Sequence, residues 1–178
     1  MVSFVMLDRD GVINFDSKDY IKSPSEWLEI PGSFKALALL SKAGYKIGIA
    51  TNQSGIARGF YSEETLARIH QKLMVGVQEA GGSIDKIVYC PHLPDANCHC
   101  RKPKAGMLHE IANFFNATPK GHYFIGDRLS DVSAAKACGA VPLLIRSKMT
   151  APLDVSLNEI PQFESLFDAT QFILHEFH

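Results

Sequence analysis

Two carboxylates, Asp8 and Asp10, stand where an apolar run of β-forming residues, Phe4-Val5-Met6-Leu7, gives way to Asp8-Arg9-Asp10-Gly11. A buried strand reads this way, and the glycine lets the chain turn out of it. Residues two apart share a strand face, so both side chains can address one substrate. Paired carboxylates at a strand end suit a divalent, oxygen-seeking metal and acid–base work. Taken alone, the pair fits a polar loop after a core strand equally well. Three more polar endings follow: Thr51-Asn52-Gln53-Ser54, Arg101-Lys102, and Asp127 with Asp131. Carboxylates, a hydroxyl and two cations together suit phosphoryl transfer with a magnesium ion, which offsets the repulsion between a phosphate and an attacking carboxylate. An aspartate can then act as nucleophile through an aspartyl-phosphate.

A second cluster has a different chemistry. Cys90-Pro91-His92 and Cys98-His99-Cys100 set a Cys-x-His pair against a Cys-x-Cys pair. Three thiolates and one imidazole make a closed tetrahedral set, which reads as structural zinc held by Cys90, His92, Cys98 and Cys100. His99 competes with His92, but its direct neighbours would both be ligands. Free buried cysteines are the plain alternative. The zinc is expected to organise the loop that delivers Arg101 and Lys102. Cys138 lies in an alanine-rich stretch and is expected in the core.

The elements that must position these groups alternate. A helix over residues 34–43 follows, with Ser33 as its expected cap and Gly44 past its end. Residues 45–50 read as a second strand. Ser62 opens a long helix on which Leu66, Ile69, Leu73 and Val77 face the core, and Gly81-Gly82 ends it. On that helix Met74 is expected in the core and His70 on the surface. Residues 84–89 are a third strand, about 105–115 a helix, and 122–127 a fourth strand. Ser130 is expected to cap a short helix stopping at Gly139. Residues 141–146 are a fifth strand, with Pro142 marking an edge or a strand start. Residues 148–162 read as loop. Ser165 caps a last helix that offers Leu166, Phe167, Ile173, Leu174 and Phe177 for packing. The polar loop over residues 14–29 leaves the first strand end and can close over substrate. Its Asp16 and Asp19 suit sugar hydroxyls. Alternating β and α elements with polar residues at strand ends predict an α/β, doubly wound, Rossmann-like parallel sheet in one domain spanning 1–178, with the zinc loop at 90–100.

Composition narrows the partners. The chain has 178 residues, enough for one full core. The formal net charge of -1, with no Lys/Arg run, argues against nucleic acid as a partner. No stretch approaches the roughly 20 apolar residues of a membrane span, so no membrane partner is expected. The opening apolar stretch meets Asp8 at once and lacks a basic flank, unlike a signal peptide. A cytoplasmic monomer is expected.

These motifs together resemble the haloacid dehalogenase superfamily of phosphatases. Asp8-Arg9-Asp10-Gly11-Val12, Thr51-Asn52, Lys102 and Gly126-Asp127-Arg128-Leu129-Ser130-Asp131 occur in that family's order across nearly the whole chain. The resemblance implies that Asp8 is the nucleophile and Asp10 the general acid and base. It implies that Thr51 and Lys102 hold the phosphoryl oxygens. Asp8, Asp10 through its backbone carbonyl, and Asp127 would bind Mg2+, with Asp131 behind them. The zinc loop resembles the subgroup that contains heptose bisphosphate and histidinol-phosphate phosphatases. Thr51-Asn52-Gln53-Ser54-Gly55-Ile56-Ala57-Arg58-Gly59 favours the heptose enzymes, whereas the short span from His92 to Cys98 favours the histidinol enzymes. The subgroup implies a small phosphorylated sugar met by Asp16, Asp19, Asn52, Gln53, Ser54, Arg101 and Arg128, and a minimal cap. A non-catalytic, zinc-stapled interaction module is the reading of another class; the presence of Asp8, Asp10, Lys102 and Asp127 argues against it.

Overall fold

The computed structural model describes residues 2–148, 150, 157 and 159–175. Its elements run β1 (Phe4–Leu7), α1 (Ser33–Lys42), β2 (Lys46–Asn52), α2 (Glu63–Glu79), β3 (Lys86–Cys90), α3 (Gly106–Phe114), β4 (Tyr123–Gly126), α4 (Leu129–Cys138), β5 (Val141–Ile145), β6 (Gln162–Phe163) and α5 (Leu166–His175). Among the described residues six strands form one sheet in the order β3-β2-β1-β4-β5-β6, and each neighbouring pair is parallel. The two-residue β6 falls at the end of the stretch expected as loop. Phe177 lies outside the described residues.

Alternation along β1 divides the core. Val5 and Leu7 join Ile47, Ile49 and Ile125 beneath α1, α2 and α5, while Phe4 and Met6 join Val88 and Phe124 on the face covered by α3 and α4. The chain moves from β1 outward to β2 and β3, then returns to β1's other side with β4. Strand order therefore reverses between β1 and β4, and a crevice opens at their carboxyl ends. Residues 8–32 carry turns and two isolated bridges, Asp10 with Asn14 and Asn14 with Glu29, in place of a cap domain.

Several local expectations change. Gly32, at φ 90°, takes the position before α1, so Ser33 enters the helix. Ser33 Oγ instead donates to the Val12 carbonyl, and Glu29 Oε1 accepts the Phe34 N–H. At α4 the N-cap is Arg128 and not Ser130, and Asp131 in the first turn reaches back: its Oδ2 accepts the N–H groups of Asp127 and Arg128. Pro142 does mark a strand start, as the second residue of the inner strand β5; β6 pairs only with Leu144 and Ile145, so the missing N–H faces no strand among the described residues. Ser62 and Ser165 do cap, accepting from Thr65 and Asp168. On α2, Met74 is 36% exposed and His70 only 7%, the reverse of expectation. His70 stands four residues after Leu66 and three before Leu73, which is the buried stripe's own spacing. No helix among the described residues is long and apolar enough to cross a membrane.

Candidate active site

The crevice is a cavity of about 820 Å3 lined by Asp8, Asp10, Thr51 and Lys102 and, toward its rim, by Asp16, Arg58, Arg101 and Arg128. Its floor is an ion cluster. Lys102 Nζ lies 2.8 Å from Asp8 Oδ1 and 2.8 Å from Asp131 Oδ1. It also donates to the Ala50 carbonyl at 2.8 Å. Burial alone would lower the lysine's pKa, but Asp131 and Asp8 outweigh it and raise the value. Asp8 also moves upward, out of a carboxylate's ordinary range. Burial raises its pKa well above 3.8, Lys102 opposes this, and Asp131, Asp127 and Asp10 add to it.

Asp127 comes from the end of β4. Ser147 Oγ donates to its Oδ2 at 2.6 Å, while Oδ1 is buried with no hydrogen-bond partner. Burial, with Asp131 beside it, lifts its pKa to about 7. One carboxylate oxygen each of Asp8, Asp127 and Asp131 lie within 4.8 Å of one another. An orphaned oxygen among crowded acids is costly unless a cation joins them, so the set fits a hard divalent ion. Asp131 is already spent on Lys102 and on two backbone N–H groups, which leaves it behind the others. Space is tight here: a Cβ on Gly11, at φ 82°, would sit 2.1 Å from Asp127 Oδ2.

Asp10 is held quite differently. Arg9 Nε and Nη2 donate to Oδ1 and Oδ2 at 2.9 and 3.1 Å, Asn14 Nδ2 to Oδ1 at 2.9 Å, and Gln53 Nε2 to Oδ2 at 3.0 Å. Burial pushes its pKa up, but Arg9's charge and these hydrogen bonds prevail and bring it below 3.8. Gln53 is in turn fixed by Tyr61, whose hydroxyl donates to Oε1 at 2.6 Å, and it reaches Thr51 Oγ1 at 2.9 Å. Arg9, Asn14, Tyr61 and His70 were not singled out in the sequence for these duties. The His70 spacing on α2 was the one signal present.

The residues expected at the substrate divide. Thr51, Ser54, Asp16, Arg101 and Arg128 line the cavity, and Asp16 pairs with Arg128 across its mouth. Asn52 and Gln53 also line it, yet their amides are committed to Lys102's backbone and to Asp10. Asp19 is exposed and outside the lining; its N–H bonds Ser17 Oγ and its carbonyl accepts from Lys22.

The cysteine loop gathers as its spacing predicts. Cys90 Sγ lies 3.7 Å from Cys98 Sγ and 3.2 Å from Cys100 Sγ, and His92 Nδ1 is 3.4 and 3.3 Å from Cys90 and Cys100. A tetrahedral ion with metal–sulfur bonds of about 2.3 Å spaces its sulfurs by roughly 3.8 Å. No disulfide forms, and His92 rather than His99 supplies the nitrogen. The four donors fit zinc. The loop reaches the cavity through Arg101, which donates to the His92 carbonyl, and Lys104, which donates to the Cys98 carbonyl at 2.7 Å.

Comparison with known proteins agrees with this geometry. Residues 99–168 match the family described as HAD-hyrolase-like. The chain is 47% identical over 176 residues to the D-glycero-beta-D-manno-heptose-1,7-bisphosphate 7-phosphatase of Pseudomonas putida, covering 98% of this chain and 99% of that one. It is 41% identical to the enzyme of the same name from Neisseria meningitidis serogroup A, covering 98% and 96%. Among solved structures, the D,D-heptose 1.7-bisphosphate phosphatase of B. bronchiseptica, complexed with magnesium and phosphate, superposes with a TM-score of 0.91 at 38% identity, covering 98% of this chain and 99% of that one.

Proposed function

Because this chain belongs to the D-glycero-beta-D-manno-heptose-1,7-bisphosphate 7-phosphatase family of haloacid dehalogenase-type phosphatases, we propose that it removes the 7-phosphate from that sugar bisphosphate. The observation that carries the reading is Asp8. It is a buried carboxylate on the cavity floor, faced by Lys102 and by an Asp127 oxygen that lacks a partner. We assign it to the cytoplasm and to lipopolysaccharide core precursor synthesis, acting as a monomer on a small diffusible sugar.

The side chains divide the work. Asp8 attacks phosphorus, the bond from O7 to phosphorus breaks, and the electron pair goes to the departing alkoxide. Asp10 enters as the acid, keeping the proton it took from water in the preceding turnover, and gives it to that oxygen. Asp10, now a carboxylate, then takes a proton from water as the water attacks the aspartyl-phosphate, and phosphate leaves with Asp8 restored. Thr51 and Lys102 hold the phosphoryl oxygens, on which charge concentrates in the transition state. Asp8, the Asp10 carbonyl and Asp127 would hold magnesium, which would supply charge that offsets repulsion between the phosphate and the attacking carboxylate. Cys90, His92, Cys98 and Cys100 would hold zinc, whose role would be positional. Arg101 and Arg128, at the rim, are assigned to the retained phosphate and the sugar.

The test is kcat/KM with magnesium for heptose bisphosphate and for histidinol phosphate, side by side. A preference of about 100-fold for the heptose is expected, corresponding to roughly 2.7 kcal/mol of differential transition-state binding. The reverse preference would transfer the enzyme to histidinol phosphate, as the short span from His92 to Cys98 favours. Asp8→Asn is expected to abolish turnover with the fold intact; substantial residual hydrolysis would sink the covalent route.

A further inference from the structure

The mechanism above gives no duty to His70, a buried titratable group on α2. His70, on α2, is 7% exposed, and its Nε2 stands 3.1 Å from Nη1 of Arg9. Arg9 is fully buried, and its opposite edge grips both oxygens of Asp10. A guanidinium only donates hydrogen bonds. His70 Nε2 must therefore accept, which leaves the ring neutral with its proton on Nδ1. Burial, reinforced by Arg9's charge, pushes the ring's pKa down to about 3.

The arrangement matters for the direction of proton transfer. Arg9, Asn14 and Gln53 all donate to Asp10, so the network favours the carboxylate over the acid. An acid surrounded this way is best stabilised as it gives its proton up, which is when the leaving oxygen needs it. The effect depends on orientation. A guanidinium held along one edge can tilt about that edge, and a second acceptor on the far nitrogen fixes its plane.

We propose that His70 is a positioning residue for Asp10: it accepts from Arg9, fixes the guanidinium plane, and so aims the carboxyl group that protonates the leaving alkoxide. The inference rests on the reading of Asp10 as general acid. It explains why a polar side chain occupies a core position of α2, where leucine would leave the buried Nη1 of Arg9 without an acceptor.

The test varies the leaving group. The heptose 7-phosphate is an alkyl ester and needs an acid for its strongly basic leaving oxygen. In p-nitrophenyl phosphate the leaving phenolate is weakly basic and departs without one. We would measure kcat/KM for both in the wild type, Asp10→Asn, His70→Leu and His70→Gln. Asp10→Asn is expected to lose far more on the alkyl than on the aryl ester. His70→Leu is expected to shift the alkyl-to-aryl ratio the same way by about tenfold, a fraction of the full acid contribution. His70→Gln, whose Oε1 can accept from Arg9, is expected to recover most of that loss. Equal losses on both esters in His70→Leu, or no recovery in His70→Gln, would overturn the role of His70 while Asp10→Asn still discriminates. No discrimination in Asp10→Asn would overturn the acid reading and this inference with it. If His70→Leu fails to fold, 15N NMR of the wild-type protein decides. An unprotonated Nε2 at neutral pH is expected, and a protonated Nε2 would refute the contact.

Discussion

The side-chain amide of Asn52 closes on the backbone of Lys102 in both directions. Its Oδ1 accepts the Lys102 N–H and its Nδ2 donates to the Lys102 carbonyl, both at 3.1 Å. A strand end and a loop fifty residues later are thus clipped together as two paired strands would be. The lysine that meets Asp8 and Asp131 is fixed at its base by this clip and at its tip by the Ala50 carbonyl.

The clip makes Asn52→Ala a test of positioning against recognition. Freeing the Lys102 backbone should lower kcat by about tenfold, roughly 1.4 kcal/mol in the barrier, with KM for the heptose bisphosphate changed less than twofold. Steady-state kinetics checks it. A rise in KM at constant kcat would return Asn52 to the substrate contacts expected from the sequence.

Ser147 holds Asp127 by one oxygen and leaves the other for a cation. Ser147→Ala should raise the half-saturating magnesium concentration about threefold to tenfold, while kcat at saturating magnesium stays within about twofold. Binding of Mn2+ followed by EPR should weaken in parallel. Unchanged Mn2+ affinity would show that Asp127 keeps its orientation without the serine.

The cysteine loop reaches the cavity through Arg101 and Lys104, whose side chains bond to the carbonyls of His92 and Cys98. Removing zinc should release both contacts and lower kcat/KM by about tenfold or more, with recovery on adding zinc but not extra magnesium. Elemental analysis and kinetics on the same chelated sample decide. Full activity in demonstrably zinc-free protein would refute the positional role.

His70 also makes stability depend on pH. Its folded pKa of about 3 lies below the ordinary 6.5, so between these values the unfolded chain binds a proton that the folded protein refuses. This contribution to stability is complete above pH 6.5 and is lost as pH falls toward 3, at up to about 1.4 kcal/mol per pH unit. Urea unfolding at several pH values, with magnesium saturating, should show a shallower decline below pH 6.5 in His70→Gln than in the wild type. Parallel declines would place the acid sensitivity in other groups.

Much of this site could be read along the chain because its chemistry is local. Asp8, Asp10 and Asp127 stand at strand ends that announce themselves by apolar runs broken by a carboxylate. Cys90, His92, Cys98 and Cys100 are close in sequence, so their spacing alone indicates a tetrahedral set. The βα alternation fixes a parallel sheet, because parallel neighbours need a crossover between them. The supports were harder to read. Asn52 and Gln53 lie in a motif that points to substrate, and only packing shows their amides turned onto Lys102 and Asp10. Ser147 lies beyond β5, in a stretch with no periodicity, and meets Asp127 only because β4 and β5 are neighbours. His70 has the spacing of a core residue and the polarity of a surface one, and composition cannot choose between them. What the sequence by itself determined is which groups have the chemistry suited to charge, metal and phosphate, and that strands deliver them to one crevice. Tertiary structure alone decided which polar side chains hold those groups in place. A buried hydrogen bond is set by the approach of two distant segments, and neither segment's pattern encodes the other.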